Sequence, residues 1–100
     1  MKFSSCITNP SIINVPLEQI LEKFVQFGFD GIDIPGEKDT FPVAKIKPLL
    51  DSYSNKLQIG ELTACINPTR DLIHPDDKKR QYAIDYIKYC IDAAQALECN

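Results

Sequence analysis

Apolar residues along this chain follow two patterns, short runs of a few residues and longer stretches in which they recur every three or four positions. The short runs lie at 2–7, 30–34 and 57–66, and each is bounded by glycine, proline or asparagine. A longer stretch follows each of them. Short apolar runs between turn residues favour strands, and a 3.6-residue recurrence favours helices. The pattern therefore predicts the order β-α-β-α-β-α.

The first predicted helix has start and stop signals as well as an apolar face. Asn14 is a predicted N-cap, Pro16 suits the first turn, and Gly28 supplies a left-handed stop. Its predicted buried face consists of Leu17, Ile20, Leu21, Phe24, Val25 and Phe27.

The other two helices differ in how clearly they are signalled. Pro48 interrupts the helical spacing between Val43 and Tyr53, so this helix is either kinked or begins late, at Pro48. The last helix has Pro75 at its start, followed by two acidic residues that suit the positive end of a helix dipole. Its predicted buried stripe is Ala83, Ile87, Cys90, Ile91, Ala94 and Leu97.

Strands separated by helices are predicted to be parallel, because the crossover leaves no room for hairpins. Alternation then gives one apolar face, made of Phe3, Ile7, Ile32, Ile34, Leu62, Ala64 and Ile66. The opposite face is polar: Ser4, Cys6, Thr8, Asp33, Glu61, Thr63 and Cys65. A doubly wound sheet needs both faces apolar, whereas a barrel can hold polar groups inside. The pattern favours a (β/α)₈ TIM barrel, of which residues 1–100 form a single segment with the first three βα units.

Three parallel strands alone would leave two unpaired edges and an uncovered polar face. We therefore expect the chain either to be part of a longer barrel of ~250 residues or to complete its sheet by association. The first expectation makes it a piece of an enzyme, and the second makes it a non-catalytic binding or assembly module.

Composition narrows the class of protein. The chain is 44% apolar and 25% charged with a net charge of -3, as in ordinary globular domains. No apolar run approaches the ~20 residues of a membrane span, and the N-terminus lacks the apolar core of a signal peptide. Basic residues cluster only at 78–80. We expect a cytoplasmic protein that binds neither nucleic acid nor membranes.

The residues present disfavour disulfides, a zinc site and a phosphate-binding loop. The four cysteines have irregular spacing without any Cys-x-x-Cys, and His74 is the only histidine, so reduced thiols are expected rather than disulfides or a zinc site. The first strand leads into residues 8–11, Thr-Asn-Pro-Ser, without the glycine-rich loop that a phosphate-binding domain needs.

Two stretches resemble a known family. Residues 27–35, Phe-Gly-Phe-Asp-Gly-Ile-Asp-Ile-Pro, look like the second-strand signature of the xylose-isomerase-like sugar isomerases and epimerases. Residues 62–68, Leu-Thr-Ala-Cys-Ile-Asn-Pro, with Asp71, Asp76 and Arg80 after them, resemble its third strand, loop and third helix. The resemblance spans essentially the whole chain and is nearest to the ketose 3-epimerases of the tagatose and psicose type.

The resemblance implies a metal-dependent enzyme that moves a proton next to a sugar carbonyl through an enediolate. It implies a divalent Mn, Mg or Co ion, held by carboxylates and a histidine on later strands, so this segment contributes neither catalytic residues nor metal ligands. It places Cys6, Cys65 and Asn67 in the wall of the sugar site. The expected partners are a small sugar or sugar phosphate and further copies of the chain in a homo-oligomer.

Several assignments stay open at the level of sequence. The chain has no tryptophan, unlike the epimerases, and other branches act on inosose, hydroxypyruvate, dehydroshikimate or abasic DNA. Cys6 and Cys65 also suit small buried filler positions. Asp33 and Glu61 suit salt-bridged acids inside a barrel as well as an acid–base pair. His74 suits a helix start.

Overall fold

The computed structural model describes residues 15–53 and 56–99 and the backbone of residues 4–6. In chain order the elements are β1 (Ser4–Cys6), α1 (Leu17–Gln26), β2 (Gly31–Pro35), α2 (Val43–Ser52), β3 (Gln58–Thr63) and α3 (Asp77–Ala96). The predicted alternation of strands and helices is confirmed. The predicted strand positions outside these bounds at 2–3 and 7 lie outside the described residues.

The three strands form one parallel sheet in the order β1-β2-β3. Cys6 pairs with Asp33, and Ile32 pairs with Ile59. Right-handed crossovers between consecutive neighbouring strands place their helices on the same face of a sheet. The core agrees with this arrangement, because buried side chains of α1 and α2 pack with those of β2 and β3 in one cluster, formed by Leu17, Ile20, Leu21, Ile32, Ile34, Phe41, Ile46, Leu57, Ile59 and Leu97.

A β-bulge lies in β3. Ile32 is opposite Ile59 and Ile34 is opposite Leu62, so three steps along β3 match two along β2. The extra residue lies at Gly60–Glu61, and it resets the alternation of side chains. Ile59 is buried and Leu62 packs against the same core cluster, although strict alternation would put them on opposite faces.

Beyond the bulge, polar side chains occupy the face opposite the core. The Thr63 hydroxyl lies 3.2 Å from Glu61 Oε1, and Glu61 is exposed. The prediction of one apolar and one polar face is confirmed for these residues. It is wrong for Ala64 and Ile66, which are exposed, because β3 ends at Thr63 rather than at residue 66.

Helix α1 ends as predicted and begins differently. Gly28 has a φ of 81° and donates its N–H to Val25, while Phe29 donates to Phe24, which is a Schellman stop. Pro16 is the N-cap rather than a first-turn residue, and Asn14 lies outside the described residues. Phe27, predicted to be buried, is 74% exposed because the helix has already ended there.

Helix α2 resolves the two alternatives that Pro48 left open. It begins at Val43 and runs through Pro48 to Ser52, so it does not start late. Pro48 has no N–H to donate to the carbonyl of Ala44. Ile46 is buried in the core, and this packing stabilises a helix that has lost one hydrogen bond.

Helix α3 has its N-cap at Asp76, whose carboxylate accepts from the N–H groups of Lys78 and Lys79. Its buried stripe is Ala83, Tyr86, Cys90, Ala93 and Leu97. The prediction is confirmed for Ala83, Cys90 and Leu97 and wrong for Ile91, which is 62% exposed. Ile87 and Ala94 are half-buried, and buried Tyr86 and Ala93 were not predicted. Among the helices of the described ranges, none is long and apolar enough to cross a bilayer.

The end of α3 contains a strained residue. Glu98 has a φ of 56°, and the next N–H, from Cys99, donates to Ala94 as in a Schellman stop. A side chain in the left-handed region costs about 1 kcal/mol, which glycine avoids.

We therefore expect Glu98→Gly to raise the free energy of unfolding by about 0.5–1 kcal/mol, since the relief of strain exceeds the added chain entropy. Urea denaturation measures this change. Glu98→Ala is the matched control, because it removes the charge and retains the strain, and it should lie within ~0.5 kcal/mol of the parent. Equal stability of the two variants would contradict the prediction.

Candidate functional site

The carboxyl ends of β2 and β3 bring two loops together. Gly36, directly after β2, donates its N–H to the Thr63 carbonyl at 2.8 Å. Cβ atoms at this position would lie 2.6 Å from Cys90 Sγ and 2.9 Å from Leu62 Cδ2. Only a residue without a side chain allows this close approach, so glycine sets the distance between the β2–α2 loop, the end of β3 and α3.

An ion pair connects the same two loops. Arg70 Nη1 and Nη2 donate to Glu37 Oε1 and Oε2 at 2.6 and 2.8 Å, which is the two-pronged geometry that a guanidinium forms with a carboxylate. Arg70 Nη1 also donates to the Cys65 carbonyl at 3.0 Å. The Arg70 side chain is 13% exposed and that of Glu37 is 34% exposed, so water screens the pair only in part.

Tyr86 on α3 packs against the Arg70 side of this ion pair. The Arg70 guanidinium carbon lies 3.8 Å from the centroid of the Tyr86 ring, within the range of a cation–π contact. The Tyr86 hydroxyl accepts the Cys65 N–H at 2.7 Å. One buried side chain thus contacts the backbone past the end of β3 and the cation that bonds to the neighbouring loop.

The charges of this cluster stabilise one another. The hydrogen bond from Arg70 lowers the pKa of Glu37 below its ordinary value of 4.5, and the same bond raises the pKa of Arg70. Burial raises the pKa of Tyr86 to about 12, so its phenol stays neutral. At neutral pH the cluster is therefore an ionised pair beside an uncharged ring.

The three predicted sugar-contacting residues lie at the same edge of the sheet or close to it, in different settings. Cys6 is the last residue of β1, and its side chain lies outside the described part. Cys65 is half-buried two residues past β3, with its thiol 3.7 Å from the Thr63 carbonyl. Asn67 is exposed, and its side-chain oxygen accepts from the N–H and hydroxyl of Thr69 within a turn. Their assignment to a sugar site stays a prediction.

His74 and Arg80 are used at the start of α3. His74 Nδ1 accepts the Asp76 N–H at 3.0 Å, while Asp76 itself is the N-cap. Arg80 pairs with Asp77 and donates to the His74 carbonyl at 2.8 Å. These contacts order the loop before the helix, and they account for both residues locally.

Histidine, cysteine, aspartate and glutamate side chains are the ones that could bind a metal ion in this chain. Within residues 15–53 and 56–99, no three His, Cys, Asp or Glu side chains lie close enough together to hold an ion. The divalent metal that the family resemblance implies, with ligands on later strands, stays a prediction.

The chain was compared with protein-family models, with curated proteins and with solved structures, and it matches none of them. What is shown is an α/β protein with a parallel sheet and its helices, in which Glu37, Arg70, Tyr86 and Cys65 meet at the carboxyl edge.

We expect Gly36→Ala to lower the free energy of unfolding by about 1–3 kcal/mol, because the added methyl group overlaps Cys90 Sγ. Urea denaturation measures the loss. The double variant Gly36→Ala/Cys90→Ala should recover part of it, since the contacted sulfur is gone. Losses that simply add in the double variant would show that this contact is not the cause.

We also expect Glu37→Gln to lower stability by about 1 kcal/mol at neutral pH, where both partners are ionised. A carboxylate with a lowered pKa stabilises the fold above its unfolded-state pKa and loses this effect as the pH falls through its folded-state pKa. The difference between parent and variant should therefore shrink below about pH 4.5. Urea melts at several pH values measure it. Glu22→Gln, at an exposed position on α1, is the control, and a pH-independent difference for Glu37→Gln would contradict the prediction.

Proposed function

We propose that this chain forms the first three βα units of a (β/α)₈ barrel and contributes to a metal-dependent sugar isomerase or epimerase. The observation that supports the barrel is the sheet itself: consecutive parallel strands with their apolar side chains in one core and Glu61 and Thr63 on the opposite face. A barrel encloses such a polar face, whereas a doubly wound sheet would cover it with helices.

Substrates of barrel enzymes bind at the carboxyl ends of the strands, where the βα loops meet. In this proposal Cys6, Cys65 and Asn67 contribute to the wall of the sugar site. The Glu37–Arg70 pair keeps the second and third loops in fixed positions, and Arg70 bonds directly to the Cys65 carbonyl. Proton transfer and the metal belong to later strands, and no residue of this chain is assigned to either.

The second candidate is a non-catalytic module that completes its sheet by association. The observation that favours it is a set of exposed apolar side chains, which are Phe27, Ile66, Leu72, Ile73, Tyr82, Ile84 and Ile91. Association with another protein could cover such side chains where they lie next to one another. Homo-oligomers and a cytoplasmic location are compatible with either candidate and are proposed on the same footing.

The mass of the natural protein and its chemistry distinguish the candidates. We expect an intact mass of roughly 30 kDa, as is typical of this barrel, together with exchange of the proton next to the carbonyl of a ketose. Incubation with fructose or tagatose in D₂O with Mn²⁺, followed by NMR, measures this exchange. A natural mass of 11.3 kDa without exchange would contradict the enzyme and favour the module.

In the same assay, Cys65→Phe should raise KM with little change in Tm, because a larger side chain narrows the sugar site. Ile66→Phe is the matched control, since its side chain is 56% exposed at the next position. Unfolding of the Cys65 variant without a change in the KM of the folded fraction would assign Cys65 to packing alone.

A further inference from the structure

A cavity of about 170 Å³ lies between the β2–α2 loop and α3. Its walls include the rings of Tyr82, Tyr86 and Tyr89 from the helix, and the carboxylates Asp39 from the loop and Asp85 from the helix. Ligand cavities for drug-sized molecules have about 300–1,000 Å³. This one is smaller and therefore suits a short group.

We propose that this cavity binds a small organic cation, an alkylguanidinium or alkylammonium group. Of the predicted sugar-contacting residues whose side chains are described, neither Cys65 nor Asn67 is in the lining of this cavity. The proposal therefore stands independently of the proposed sugar chemistry.

The net charge of the lining residues favours a cation. The lining contains three carboxylates and two cationic side chains, which leaves one net negative charge. Arg70 and Glu37 neutralise each other through their two hydrogen bonds. Among the described residues neither Asp39 nor Asp85 forms an ion pair, and Asp85 accepts one hydrogen bond, from the neutral amide of Gln81 at 2.8 Å.

The tyrosine rings of the lining also favour a cation. Tyrosine faces attract cations that have shed part of their water, and tyrosine cages are a common way to bind organic ammonium groups. Burial raises the pKa of Tyr89, and electrostatic interactions that include those with the carboxylates of Asp39 and Glu37 raise it further. The negative field of the carboxylates thus reaches the ring that a cation would contact.

The chain already contains one example of this chemistry. Arg70 places its guanidinium 3.8 Å from the Tyr86 ring centre and bonds to Glu37 at the same time. Tyr82 also forms a side-chain hydrogen bond with Arg70, whereas Tyr89, Asp39 and Asp85 line the cavity beside this arginine. A bound cation would lie next to Arg70 and contact the Tyr89 ring and these two carboxylates.

The probe is butylguanidinium, and its near-isosteric neutral control is butylurea. Tyrosine ring resonances followed by NMR during titration give the Kd of each. We expect butylguanidinium to bind at least about threefold more tightly than butylurea, and added NaCl to weaken it. Equal binding of the two, or tighter binding of the neutral polyol xylitol, would overturn the proposal.

Two substitutions that change the charge of the lining should change the affinity for the cation in opposite directions. Asp85→Asn should weaken binding about two- to fivefold, whereas Lys38→Gln should strengthen it, because it removes the competing cation from the lining. Asp92→Asn, on the same helix and outside the lining, is the matched control. If Asp85→Asn and Asp92→Asn have the same effect, or if Lys38→Gln weakens binding, the cavity does not select for positive charge.

A free ligand and a protein side chain are two sources of the same cation. A short peptide with one central arginine tests the second source beside butylguanidinium. Binding of butylguanidinium supports the proposal. If the arginine peptide binds as well, a protein side chain can supply the cation; if it does not, the ligand is a free small molecule. Failure of both cations to shift the Tyr82 and Tyr89 resonances at tens of millimolar, where contacts of this strength are detectable, would overturn it.

Discussion

Two parallel hydrogen bonds between Arg70 and Glu37 connect loops that are 33 residues apart in the chain. Each partner is partly removed from water, so losing one would leave the other with an uncompensated charge in a poorly solvated place. Three neighbouring groups are arranged around this ion pair. Tyr86 supplies the face on which the guanidinium lies, Gly36 permits the close approach, and the Cys65 carbonyl accepts a further bond from the same arginine.

The order of elements could be predicted because strands and helices leave local signals. Proline and glycine at 35–36 and glycine at 28 end elements where the structure ends them, and period and spacing distinguish helices from strands. The exact faces could not all be predicted. The bulge at Gly60–Glu61 changes the phase of β3, and β3 ends at Thr63 because the next available N–H, from Cys65, bonds to Tyr86 instead of to a strand.

The cluster at the carboxyl edge was not predictable from local patterns. Glu37 and Arg70 are ordinary charged residues of predicted loops, and only their common position after consecutive parallel strands indicates that they could meet. Tyr86 was missed because its burial depends on a partner 21 residues away. Periodicity placed Ile87 and Ile91 in the buried stripe, whereas in the structure the stripe is shifted there by one position, to Tyr86 and Cys90.

The bulge divides β3 into two parts with different tolerance for change. Ile59 of the amino-terminal part is buried in the core, and Leu62 of the carboxyl-terminal part packs against the same core, while Glu61 and Thr63 lie on the opposite face. The single extra residue of the bulge changes which face of the sheet the following side chains of β3 lie on. Substitutions of Glu61 or Thr63 therefore change the exposed polar face while Ile59 and Leu62 keep their positions at the core, so one short strand can serve both faces.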